Sequence, residues 1–164
     1  MKNKIIGILS ILLTIIIITG CEKNTLDLND INTVTFGDLS FEIPKAFEKD
    51  ENNSNDTIIQ YDFSTKDKKN LCMLYFSKSD YVADDLKEEV KFCLLNNDDI
   101  SYSTKNINGI EWTTGYLNGG KKRENHCYVV NHNNKRYEFQ YSDFGSGDLC
   151  EKALNKIESS LRFN

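Results

Sequence analysis

The sequence predicts an α+β domain: an antiparallel β-sheet flanked by helices. Three observations predict it. Apolar residues alternate with polar ones at period two through much of residues 33–143. The turn pairs Gly37-Asp38, Asn108-Gly109 and Asn133-Asn134 interrupt that alternation at hairpin spacing. Two stretches, around residues 86–94 and 150–161, instead carry apolar residues at helical spacing.

Thr33 to Asp38 and Leu39 to Pro44 place Val34 and Phe36, then Leu39, Phe41 and Ile43, at period two, so a hairpin with one buried face is expected. Lys45 to Asp56, with Asn52-Asn53-Ser54-Asn55, reads as a charged loop. Thr57 to Phe63 sets Ile59, Tyr61 and Phe63 on one face. Leu71 to Phe76 is apolar on both faces and is expected to be a central, covered strand. Ser79 or Asp80 is the candidate cap of the helix that follows, and Asp84 and Asp85 suit its positive end. Leu86, Val90, Cys93 and Leu94 form the stripe, and Asn96-Asn97 stops it.

Ser101 to Ile107 and Ile110 to Leu117 flank Asn108-Gly109, whose residues tolerate the positive φ angles of a type I′ turn. Glu124 to His132 and Arg136 to Asp143 form a further hairpin through Asn133-Asn134. Ser146 can cap a last helix with Cys150, Leu154, Ile157 and Leu161 as its stripe. The sequence shows no repeat or second domain.

The first twenty residues follow a different rule. Met1-Lys2-Asn3-Lys4 is a short basic start, and Ile5 to Thr19 is almost wholly apolar. That is the pattern of an export signal, and it is short for a membrane-spanning helix, which needs about 20 apolar residues. Ile18-Thr19-Gly20-Cys21 resembles a lipobox. The resemblance implies that the Cys21 thiol receives diacylglycerol and that the chain is cut before it. Two acyl chains hold a protein stably where one holds marginally. Residues 1–20 are therefore expected to be a lipoprotein signal peptide, 21–32 a polar tether, and 33–164 one domain. The expected location is the outer face of the cytoplasmic membrane. The abundance of Asn, Ile and Lys suggests a Gram-positive bacterium with an AT-rich genome.

Lys2 and Lys4 leave with the signal, which takes the formal charge of the 164-residue chain from −5 to −7. An acidic domain is poorly suited to nucleic acid, which is gripped through Lys and Arg on phosphates. With Cys21 acylated, Cys72, Cys93, Cys127 and Cys150 remain. They are read as two disulfides, in any of three connectivities, or as four buried thiols.

The order of elements and a few landmarks resemble the PsbP-like superfamily, which includes a photosystem II extrinsic protein and many bacterial lipoproteins. The landmarks are Phe41-Glu42-Ile43-Pro44 with Phe47, Asn108-Gly109 followed by Trp112, and the closing run Ile157 to Phe163. The resemblance covers residues 33–163 and implies an α/β/α sandwich acting as a non-enzymatic docking or accessory module. Phe47 departs from it, since Trp is common at that place.

The candidate chemical sites are few. His126 and Cys127 are neighbours, but adjacent strand residues point to opposite faces. His132, near a turn, is expected to be solvated. Cysteine and histidine occur without metal-ligand spacing such as Cys-x-x-Cys, so neither metal nor cofactor is expected. Asp80, Asp84, Asp85, Glu88 and Glu89 lack the loop and glycine of an EF-hand and fit a helix start with its solvated face. Gly145-Ser146-Gly147 is a turn and cap rather than a nucleophile elbow. Lys121, Lys122 and Arg123, at a hairpin tip, could touch lipid phosphates or an anionic wall polymer. Trp112, Tyr116, Tyr137 and Tyr141 are read as core, with a ligand groove as the alternative.

The function expected is that of a membrane-anchored accessory module for a protein or envelope partner. The alternative is a small-molecule or lipid-binding lipoprotein with an aromatic-lined pocket. A third reading, an envelope hydrolase or thiol enzyme, requires a thiol within reach of His126 or His132.

Overall fold

The computed structural model describes residues 27–64, 70–119, 124–146 and 148–164. Cys21, most of the tether and the basic tip at Lys121, Lys122 and Arg123 lie outside these residues. Among the described residues, no helix is long and apolar enough to cross a membrane.

Asn and Gly accept the left-handed conformation that tight hairpins demand, and the turns fall where these residues stand. Gly37 (φ 63°) joins β1 (Ile31–Phe36) to β2 (Leu39–Pro44). β3 (Glu48–Lys49), β4 (Ile58–Ser64) and β5 (Asn70–Ser79) follow, and then α1 (Leu86–Cys93). Asn108 and Gly109, at φ 50° and 87°, turn β6 (Ser101–Ile107) into β7 (Ile110–Asn118). Asn133 and Asn134 do the same between β8 (Glu124–His132) and β9 (Lys135–Asp143). The chain closes with α2 (Asp148–Ser160) and β10 (Arg162–Phe163).

Two antiparallel sheets result. The larger has the order β3-β4-β5-β9-β8-β7-β6, and the smaller the order β1-β2-β10. Alternation gives the large sheet two distinct faces. One packs on α2 and the small sheet through Phe41, Phe76, Phe139 and Tyr128, whose rings stack in succession at 4.1, 4.6 and 5.2 Å. The other face takes α1, which rests on β7 and β8 through Val90, Leu94, Cys127 and Val129. Gly115 of β7 is the seat: a Cβ there would overlap Val90 Cγ1.

Four sequence expectations are corrected. The cap of α1 is Asp85, whose carboxylate accepts from the Lys87 and Glu88 amides; Ser79 is still in β5 and Asp80 follows it. Ile31 and Asn32, read as the end of the tether, pair with Pro44 and Ile43 in β1, so the domain begins earlier. On β5 only Cys72, Leu74 and Phe76 are fully covered. Leu71, Met73 and Tyr75 are half-buried, because the eight-residue α1 rests mainly on β7 and β8 and touches β9 without covering β5. His132 is not solvated but stacks on Phe163 of β10, with centroids 3.9 Å apart.

The start of α2 is as its sequence predicts, whereas α1 is ended at Leu95, just before the expected Asn96-Asn97 pair. Ser146 Oγ accepts from the Cys150 amide at the start of α2. After α1, Leu95 adopts φ 61°, its amide bonds to the Phe92 carbonyl, and the Asn96 amide bonds to the Lys91 carbonyl. This is a Schellman ending with leucine in the place glycine usually takes. That leucine is exposed.

The four cysteines form two disulfides, Cys72–Cys150 and Cys93–Cys127, with Cα atoms 5.8 and 6.4 Å apart. The first ties β5 to α2 and the second ties α1 to β8, so each face of the large sheet has one bridge.

Candidate functional site

Strand alternation and one helix together build a polar cleft at the end of the core face. Ser101, Ser103 and Lys105 of β6 point the same way, as do their partners Tyr116, Thr114 and Trp112 on β7. His126 and Tyr128 of β8 and Tyr141 of β9 continue that face. α2 lies across it and contributes Glu151, Leu154, Asn155 and Glu158. The hollow has a volume of about 280 Å³. A smaller hollow beside it shares Lys105, Asn155 and Glu158.

Glu158 is the organising group. It lies on the inward side of α2 and is only 6% exposed. The Tyr128 hydroxyl donates to one of its carboxylate oxygens and the Lys105 ammonium to the other. Burial and this carboxylate both push the Tyr128 hydroxyl far up, which keeps it a proton donor. Ser103 and Thr114 share a hydrogen bond of 2.7 Å. The Asn108 side chain donates to the Ser159 and Leu161 carbonyls and locks the β6–β7 turn onto the end of α2.

His126 sits between two tyrosines, 4.9 Å from the Tyr116 ring and 5.6 Å from the Tyr141 ring. Burial lowers its pKa, and Glu124, 3.9 Å away, only partly opposes that. Its imidazole is therefore neutral over most of the physiological range. Tyr141 is 1% exposed, and its hydroxyl has no hydrogen-bond partner. Among the described residues it is the one buried side-chain hydroxyl without a partner.

The sequence-derived candidates separate. Tyr116, His126 and Tyr141 meet in the cleft, whereas Trp112 and Tyr137 are packed in the core. His126 faces α2 while Cys127 faces α1 and is bonded to Cys93, so the two form no thiol–imidazole pair. The aromatic-lined hollow is a half-open cleft of mixed polar and apolar lining rather than a deep apolar cavity. Sequence reasoning missed Ser101, Ser103, Lys105, Tyr128 and Glu158. Two signals were present: polar residues at inward positions of β6, and a carboxylate inside the apolar stripe of α2.

No protein-family model matches this chain, and no curated protein sequence matches it. Solved structures do. The solution structure of cyanobacterial PsbP (CyanoP) from Synechocystis sp. PCC 6803 aligns over 88% of this chain and 99% of its own, with a TM-score of 0.56 and 10% identity. A crystal structure from Bacteroides thetaiotaomicron VPI-5482 aligns over 82% of this chain, with a TM-score of 0.52 and 13% identity. This chain spans about half of that protein's length, 48%. The likeness is one of fold, and the α+β architecture is PsbP-like.

Proposed function

We infer that this chain is a lipoprotein held at the outer face of the cytoplasmic membrane by diacylglycerol on Cys21, and that its domain is a binding module. Its recognition site is the cleft between β6–β9 and α2, and its partner is a component of the cell envelope. The supporting observation for the site is the unpartnered Tyr141 hydroxyl. A buried hydroxyl left unpaired costs about 1–3 kcal/mol, which a bound polar group would recover.

The wall chooses the kind of group. Among the described residues, Glu124, Glu151 and Glu158 line the cleft with Lys105 as its single cation, and His126 is neutral. Such a wall disfavours phosphate and suits a neutral or cationic group rich in hydroxyls or amines. Tyrosine and histidine rings add flat apolar faces. Together these describe an envelope glycan better than a lipid tail.

The site is tested by binding the chain to insoluble cell-wall glycan beside Tyr141→Phe. The variant should bind about tenfold more weakly, the loss of one hydrogen bond made only with the ligand, and should melt no lower. Equal binding by the two proteins would remove the cleft from this reading. The anchor is tested separately by metabolic labelling with an alkyne fatty acid. The wild type should be labelled and Cys21→Ala should not; an unlabelled wild type sinks the anchor and leaves the cleft standing.

A further inference from the structure

The two disulfides sit in different chemical surroundings. Cys72 and Cys150 are both fully buried in the main core. Asp143, the acid opposite Cys72 in register, is committed to the amides of Gly145 and Ser146 and to the Ser146 hydroxyl. Cys93 lies instead at the end of α1, 8% exposed, between the exposed side chains of Phe92 and Leu95; Cys127 beneath it is fully buried.

Beside this second bridge lies a buried carboxylate. Glu138 of β9 brings an oxygen within 4.8 Å of both sulfurs. Its charged and titratable neighbours are Arg136 on its own strand, 3.4 Å away, Glu89 of α1, which pairs with the same guanidinium, and Tyr75 of β5. Burial outweighs Arg136 and raises the Glu138 carboxyl above the usual carboxylate range. A bridge that only stapled α1 to the sheet would have no use for a proton held there.

We propose that Cys93–Cys127 is an exchangeable disulfide that accepts electrons from a dithiol reductant entering at Cys93, with Glu138 as proton donor to Cys127, whereas Cys72–Cys150 is a permanent bridge. The reductant thiolate attacks Cys93 Sγ. The S–S bond breaks, its electron pair leaves on Cys127 Sγ, and that sulfur takes the Glu138 proton directly or through one water. The second reductant thiol then forms a bond to the first reductant sulfur and displaces Cys93, which takes that thiol's proton, while Glu138 recovers from solvent the proton that the first thiol released. The reductant ends as its own disulfide, and two electrons and two protons have passed to the protein. The end of α1 is then released from β8.

Dithiothreitol on the folded full chain, with timed alkylation and mass spectrometry of each cysteine pair, tests this. Cys93–Cys127 should open at least about a hundredfold faster than Cys72–Cys150, the low end of what a positioned proton donor contributes. Its rate per reductant thiolate should fall as pH rises through the Glu138 titration, which lies above the ordinary carboxylate value near 4.5, because Glu138 loses its proton. Glu138→Gln should be slower and lose that pH dependence. Two bridges opening together, or a Glu138→Gln protein with the wild-type rate and profile, would overturn the proposal. The comparison of the two wild-type bridges needs no variant, so a misfolded Glu138→Gln leaves the test intact.

Discussion

Each face of the seven-stranded sheet buries one glutamate and one disulfide, and the two faces arrange them in opposite ways. On the α2 face, Glu158 is fixed by the Tyr128 hydroxyl and the Lys105 ammonium and looks into a cleft, while its disulfide is sealed in the core. On the α1 face, Glu138 shares the Arg136 guanidinium with Glu89 and lies within 4.8 Å of the sulfurs of a bridge whose Cys93 is 8% exposed. A side-chain repeat of two thus lets neighbouring residues serve separate environments: His126 faces one and Cys127 the other. The difference teaches that a buried carboxylate has no fixed meaning. Its partners decide whether it anchors a wall or stores a proton.

The largest expected effect separates the two bridges. Replacing Cys72 and Cys150 by Ser should cost about 4.5 kcal/mol, and replacing Cys93 and Cys127 about 3.8 kcal/mol, since loop-closure entropy grows with the logarithm of the enclosed loop. The loops span 78 and 34 residues. Denaturant titration of both variants checks the order, and a reversed order would make α1 the keystone instead. Next, Gly115→Ala should destabilise by about 1–3 kcal/mol through overpacking, with lost amide protection confined to α1 and β7. Protection lost evenly over both faces would mean that the sheet couples them.

Tyr141→Phe should stabilise the unliganded protein by about 1 kcal/mol, because the unpaired hydroxyl is removed and the ring kept; thermal melting checks it. The smallest effects are pH slopes of opposite sign. His126 has a lowered pKa, so its stabilising contribution is complete above its unfolded value near 6.5 and is lost as pH falls through the folded one. Glu138 has a raised pKa, so its contribution is complete below the unfolded value near 4.5 and is lost as pH rises through the folded one. Melting temperature against pH should flatten in the first region for His126→Gln and in the second for Glu138→Gln.

Local chemistry made most of the elements legible. Asn108-Gly109 and Asn133-Asn134 specify their turns by backbone preference alone, and the Cys150, Leu154, Ile157 stripe marks a helix face without reference to anything distant. The cap of α1 was misplaced because Ser79, Asp80, Asp84 and Asp85 are equivalent until β5 is known to extend through Ser79. The division into two sheets was not legible, since β10 adds only Arg162 and Phe163 to β2 across more than a hundred residues. The cleft suffered from the same problem. Lys105, Tyr128 and Glu158 come from three separate elements, and each looks ordinary in its own stretch of sequence.

Phe163 has a bearing on how the chain is made. Its ring contacts Trp112, His132 and Tyr137, and its backbone pairs with Leu39. Synthesis runs from the N-terminus, so β1 and β2 are made more than a hundred residues before the strand that completes their sheet. Over that interval the edge of β2 and the indole of Trp112 are uncovered, a template for pairing with other chains. The small sheet is thus completed only once β10 has been made.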